Sequence, residues 1–269
     1  MMAFFAVALA MQACRDGKQT AGGLTEAAAA DEPTETEADS VDEVMPVGAD
    51  ELFDDFFFNY ASSLHQQQER TVFPLTVTDG DKVRQVQRRQ WKLEPFFMKQ
   101  DAYTLIFDSP AQMSLLSDTT VADVTVERLY LDKDRVAQFL FSRKSGRWML
   151  HEIRWQPLAR NPNAQFLKFY RQFVADSVFQ HQSLAEQIMF SGPDPDDDFS
   201  TIEGMITPDF WDAFQPELPQ HTLYNIVYGH QDPAASQKIL LLRGIANGLE
   251  VELTFRLEKG RWKVVRLIT

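Results

Sequence analysis

Aromatic residues recur at helical spacing from Asp50 to Gln67, where Phe53, Phe56, Phe57, Tyr60, Ala61 and Leu64 share one face of a 3.6-residue period. The spacing predicts an amphipathic helix. The same arrangement returns 113 residues further on, from Ala164 to Gln180, in Phe166, Phe169, Tyr170, Phe173, Val174 and Ser177. Later in each stretch, apolar and polar residues alternate about a charged turn. The first turn is Ser145-Gly146-Arg147-Trp148 and the second, at an offset of 114, is Lys259-Gly260-Arg261-Trp262. Alternation marks half-buried strands, and Ser-Gly and Lys-Gly supply the positive φ that tight hairpin turns need. An aromatic helix and a Gly-Arg-Trp hairpin thus recur in one order at nearly one spacing, which predicts an internal duplication.

Further strands are expected at 103–108, 120–131, 135–143 and 148–155, and then at 222–230, 237–245, 250–257 and 262–268. Each copy reads as a long aromatic helix, a mixed middle with shorter helices, and an antiparallel meander. That order describes an α+β domain with helices on one face of a curved sheet. Pro157 to Asn163 breaks the pattern, so the expected repeats are 50–157 and 163–269, packed as a fixed pair. Trp148 and Trp262 are expected to pack the sheet onto the aromatic helices.

Charge is uneven along the 269 residues: of a net −13, residues 1 to 50 carry ten acids against Arg15 and Lys18. A mildly acidic body lacks the clustered cations that phosphate backbones require, so nucleic acid is not an expected partner. The one basic run, Lys82, Arg84, Arg88 and Arg89, reads as a solvated face.

Residues Ala3 to Ala13 form an almost wholly apolar run ending before Cys14, the one cysteine of the chain. It is shorter than the about 20 apolar residues needed to span a bilayer and fits the h-region of a secretory signal. The junction resembles a bacterial lipoprotein signal, with 1–14 as signal and lipobox and Cys14 as the lipidated residue. The acidic, Ala- and Thr-rich stretch 15–49 has too few large apolar residues to offset the entropy of ordering and reads as a disordered tether. A chain of this kind is expected in the cell envelope, attached by lipid on the periplasmic face or outer surface of the outer membrane. No cysteine is left for a disulfide or a cysteine metal cluster.

The aromatic helix, the late meander and the doubled Gly-Arg-Trp hairpin resemble the nuclear transport factor 2-like fold, also called cystatin-like, over residues 50 to 269. The helix Phe53-Asp54-Asp55-Phe56-Phe57-Phe58-Asn59-Tyr60 is also similar to a family of Bacteroides-type lipoproteins that carry a domain of unknown function of that fold. The resemblance implies two tandem cones, each a long N-terminal helix against a curved antiparallel sheet. It places a site in the open mouth of each cone, between helix and concave sheet. Fold alone delivers no activity.

Enzymes of the fold use a carboxylate with a Tyr or second acid, or a His-Asp pair, and no motif here maps onto either. Strand carboxylates are Asp123 and Glu127, then Glu250 and Glu252; Arg128 takes the opposite face from Glu127. The candidate pocket residues are His151, Tyr228 and His230. His151 shares a face with Met149 and Ile153 by alternation, and Tyr228-Gly229-His230 ends a strand. The histidines lack the spacing of a metal pair, and Gly192 to Asp198 reads as a solvated acidic loop, so neither metal nor cofactor is expected. Two functions stand: a non-enzymatic binding or interaction module taking a small apolar ligand or an envelope protein, and an isomerase- or hydro-lyase-like enzyme working in one cone.

Overall fold

The structure is a computed structural model that describes residues 52–194 and 196–269. Cys14 and the stretch 15–49 lie outside them. The first aromatic segment is two helices rather than one, α1 (Phe53–Ser62) and α2 (Leu64–Glu69). Ser63 breaks the run because its extended backbone lets its hydroxyl accept from the Gln66 amide, an N-cap inside the apolar periodicity. Then follow β1 (Thr71–Asp79), β2 (Lys82–Val86), β3 (Ala102–Phe107), α3 (Pro110–Met113), β4 (Asp123–Tyr130), β5 (Arg135–Lys144) and β6 (Arg147–Pro157). The second half has two helices and six strands in the same succession, with its short helix before rather than after the third strand: α4 (Ala164–Ala175), α5 (Ser177–Gln182), β7 (Leu184–Asp194), β8 (Asp197–Ile206), α6 (Trp211–Phe214), β9 (Thr222–Tyr228), β10 (Gln237–Gly244), β11 (Glu250–Glu258) and β12 (Arg261–Ile268). Asp176 caps α5 through Phe179 as Ser63 caps α2.

Two departures from the sequence pattern stand out. Each helix pair is followed by a hairpin, β1–β2 and β7–β8, where the pattern predicted shorter helices, and the acidic run Gly192–Asp198 belongs to the second. Alternation across both hairpins is blurred because they form the two sheet edges and few of their side chains are buried.

All strands join one sheet of twelve, in the order β2-β1-β6-β5-β4-β9-β3-β10-β11-β12-β7-β8. Most neighbours are antiparallel, while β1–β6, β3–β9 and β7–β12 are parallel. β3 lies in the first half of the sequence but bonds along its length to β10, from Ala102↔Gly244 to Phe107↔Ile239. β9 bonds likewise to β4, from Thr222↔Tyr130 to Tyr228↔Val124. β3 and β9 meet at Thr104↔Asn225, where the Thr104 hydroxyl donates to the Tyr224 carbonyl at 3.1 Å.

This centre is covered on both faces. Tyr103, Leu105 and Phe107 of β3, with Ile239 and Leu241 of β10, join α1's Phe53, Phe56, Phe57 and Tyr60 in a first core. Ile106, Leu240 and Leu242 point the other way, into a second core with α4's Phe166, Leu167, Tyr170 and Phe173. Strands buried on both faces need no polar side, which is why Leu105-Ile106-Phe107 of β3 and Ile239-Leu240-Leu241-Leu242 of β10 are apolar without alternation. Trp148 and Trp262 are buried, edge-on to Phe53 at 5.0 Å and to Phe166 at 5.5 Å.

A buried polar seam runs between the centre of the sheet and the start of α4. Glu127 accepts from Asn161 at 2.7 Å, Gln138 at 2.9 Å and Asn225 at 3.1 Å. Lys238, almost fully buried, pairs with Asp108 and donates to Asn163 at 2.7 Å; Asn163 in turn donates to Gln231. Polar groups at such depth are tolerated only when bonded, and here each strand carboxyl and ammonium has partners.

Burial raises the Glu127 carboxyl above the usual carboxylate value, against the pull of its three amide donors. The folded chain therefore holds that proton more tightly than the unfolded chain. The group's contribution to stability is complete below the ordinary pKa and falls as pH rises through the raised one. Urea titrations from about pH 4, near the ordinary carboxylate pKa, to neutrality should show Glu127→Gln gaining on the wild type as pH rises. Glu127→Ala should cost several kcal/mol at every pH, since each amide donor left unpaired costs about 1–3 kcal/mol.

Candidate functional site

On the face of the sheet that carries α1, a cavity of about 260 Å³ opens between the strands and the segment 90–94. Its floor is apolar: Val77 from β1, Val86 from β2, Phe139 from β5 and Ile153 from β6. Trp91 and Trp155, both part-exposed, flank it. Trp91 is fixed by its indole N–H, which donates to Gln67 Oε1 at 3.1 Å, and the same oxygen accepts from the Glu94 amide at 2.9 Å. A buried glutamine at the end of α2 thus sets the cover of the cavity.

The charges are what distinguish it. Arg84 and Lys92 stand exposed at the rim, and Arg128 rises from β4 into the cavity. Arg128 bonds to Glu94 and donates to the Tyr130 hydroxyl at 3.0 Å, with its guanidinium 5.1 Å from the Tyr224 ring centre and 5.8 Å from that of Phe139. Burial opposes the charge, yet Glu94 and the Tyr130 hydroxyl hold its pKa above the ordinary arginine value. Three cations and one carboxylate over an apolar floor form a positive concavity on an acidic protein. Such a site is suited to a ligand with an apolar body and an anionic head.

In the second half the tryptophan bonded in the same way, Trp211 to Gln180 at 3.2 Å, is fully buried in the second core.

The residues singled out by sequence are not brought together. Tyr228 is buried in the first core, its ring 6.1 Å from Phe53 and its hydroxyl donating to Asp54 at the start of α1. Arg243 reaches Asp54 at 3.5 Å and Glu250 at 2.9 Å. Burial raises the Asp54 carboxyl, while Tyr228 and Arg243 pull it down; burial and the adjacent Asp54 push the Tyr228 phenol up. His230 is exposed beyond Gly229, and its carbonyl accepts from Gln112 at 2.9 Å. His151 sits at a β-bulge, because Leu140 pairs with Glu152 and Phe141 with Leu150, leaving His151 unmatched. The extra residue breaks the alternation that had placed it with Ile153. Burial and nearby Lys144 keep its imidazole below the ordinary histidine value. Among the described residues no three His, Cys, Asp or Glu side chains cluster to hold a metal.

Sequence reasoning missed Trp91, Lys92, Glu94 and Trp155, and left Arg84 as surface charge. Their one legible signal is basic residues beside aromatic ones, in Trp91-Lys92, Arg128-Leu129-Tyr130 and Arg154-Trp155.

The model of a family described as a domain of unknown function, DUF4348, matches residues 32–269. The chain belongs to that family. It is also similar to the crystal structure of an NTF2-like protein from Bacteroides fragilis, at 40% identity over 83% of this chain and 98% of that one, with a TM-score of 0.76. No curated protein matches it. This DUF4348 domain therefore has an NTF2-like fold of mixed helix and strand on a large curved sheet.

In the DUF4348 chain, Asp54 and Tyr228 anchor α1 to the sheet. Tyr228→Phe removes the donor that lowers the Asp54 pKa. Carbon-13 NMR should find that carboxyl titrating higher in the variant, and denaturation should show a loss of about 1–3 kcal/mol.

Proposed function

We propose that this protein is an exported, lipid-anchored, non-enzymatic binding module of the cell envelope, and that its first half takes a small ligand with an apolar body and an anionic head. The observation that carries the reading is Arg128, held in an apolar cavity by Glu94 and flanked by Arg84 and Lys92. Thermal-shift titration with decanoate tests it. Decanoate is expected to raise the melting temperature with saturation, decanol to do so far less, and Arg84→Glu with Lys92→Glu to abolish the shift. Equal shifts by decanoate and decanol, or no shift by either, would overturn the reading.

The body is two copies of one unit, 50–157 and 163–269, that exchange a strand. The sheet order supports this, since it reads alike from both ends once β3 and β9 are interchanged. The paired contacts Gln67–Trp91 and Gln180–Trp211, and Phe53–Trp148 and Phe166–Trp262, support it side chain by side chain.

Export and anchoring rest on the apolar run before Cys14 and the acidic stretch behind it. Cys14→Ala is expected to abolish incorporation of labelled fatty acid and release the protein from the membrane fraction. A variant that stays membrane-bound sinks the anchor. The enzymatic alternative finds its best pair in Asp54 and Tyr228, but the phenol already donates to the carboxylate and Arg243 already pairs with it.

A further inference from the structure

The basic run of the sequence lies at one outer edge of the twelve-stranded sheet. Lys82 and Arg84 belong to β2, the edge strand, Arg88 and Arg89 to the turn that follows it, and Lys92 continues the series. All five are exposed. Asp81 is the one acid among residues 80–93, so five cations against one acid give that segment a net of +4 in a chain of net −13.

Apolar side chains stand among these charges. Val83 is 63% and Leu93 47% exposed. The Arg88 guanidinium lies 5.7 Å from the ring centre of Phe73 on β1, and that ring lies 6.2 Å from Trp91, which borders the cavity with Arg84 and Lys92. The charges therefore belong to one continuous surface. Charge on an edge strand also discourages strand pairing, but that role needs neither exposed apolar residues between the cations nor cations beyond the strand, at Arg88, Arg89 and Lys92.

The far edge carries the opposite charge. Residues 184–206, which make the β7–β8 hairpin, hold six acids and no Lys or Arg. The β2 and β8 edges are the two ends of the strand order, roughly 50 Å apart along the sheet at about 4.8 Å per strand. Screening at physiological salt acts within about 8 Å, so the distant acids do not cancel the cations. A chain meeting an anionic plane is drawn in by its β2 edge and turned away by its β8 edge. A nucleic-acid backbone would satisfy the cations and leave Val83 and Leu93 in water. An anionic bilayer supplies headgroups for the cations and an acyl boundary for the apolar side chains, where tryptophan also settles.

We propose that the β2 edge, from Lys82 to Leu93, docks on an anionic phospholipid surface, with Arg88 and Arg89 at the headgroups and Val83, Trp91 and Leu93 at the acyl boundary. Docking brings the cavity rim to the same surface. The inference rests neither on the lipid anchor proposed above nor on the ligand assigned to the cavity.

The test is sedimentation of the full chain with lipid vesicles, in a Cys14→Ala background so that no acyl chain of its own contributes. Vesicles of phosphatidylglycerol mixed with phosphatidylcholine are expected to bind it, and vesicles of phosphatidylcholine alone to leave it in solution. Binding should vanish at about 1 M salt, where the screening length falls to about 3 Å. Each cation at such a surface is worth about fivefold in partition, so Lys82→Glu with Arg88→Glu and Arg89→Glu should weaken binding about a hundredfold. If that variant fails to fold, Arg89→Glu alone must still weaken binding severalfold. Arg256→Glu, Lys259→Glu and Arg261→Glu make the same change in net charge on exposed residues of β11, β12 and their turn, and should leave binding within about twofold of wild type. Brominated acyl chains should quench tryptophan fluorescence, and Trp91→Phe should remove most of that quenching. No binding, equal binding to neutral vesicles, an equal loss in the β11–β12 variant, or quenching indifferent to Trp91 overturns the docking edge. The charge variants touch no residue that lines the first-half cavity, so this test and the decanoate titration fail independently.

Discussion

The structure depends on the backbone hydrogen bonds that β4 and β10 require on their inner edges. A strand edge buried between two cores has no water to satisfy it, and another strand must lie along it. Here each edge is met from the other half: β9 runs along β4 and β3 along β10. Neither half completes its own sheet. The two cores grow from opposite faces of the same four central strands.

That sharing explains the polar seam. Where β4, β9, β3 and β10 converge on the start of α4, no apolar side chain is offered at Glu127, Asn225 or Lys238, and the chain fills the position with mutually bonded polar groups. Buried charges of this kind cost desolvation and return it only in a geometry where every partner is met. Asp108 and Glu127 come from the first half, Lys238, Asn225 and Asn163 from the second, and Asn161 from between them. The bonds are made only when the halves are in register.

Differences between the halves lie where packing is optional. Trp91 remains at the surface and leaves a cavity under it, whereas Trp211 sinks into its core. Arg70 and Arg143 lie against Phe56 and Trp148 in the first half, whereas a groove lies beside Phe169 and Trp262 in the second. The two halves thus offer two unlike openings. Both openings are lined by cations and aromatic side chains, in a body whose net charge is negative.

By itself the sequence determined the helices, the meanders and the two Gly-Arg-Trp turns, because these follow from period and turn chemistry within a dozen residues. It also marked Trp148 and Trp262 as core. It could not determine that Ser63 divides the first helix, since a cap and a helical polar position look alike until the backbone turns. Nor could it foresee the bulge at His151, which changes the face of a side chain by inserting one residue against a partner strand distant in sequence. The pairing of β3 with β10 was decided by tertiary structure alone, as apolar runs such as Tyr103–Phe107 and Ile239–Leu242 carry no mark of their neighbour. The first-half site was hidden for the same reason: Arg84, Trp91, Arg128 and Trp155 come from four separate segments, and only the curvature of the sheet brings them around one space.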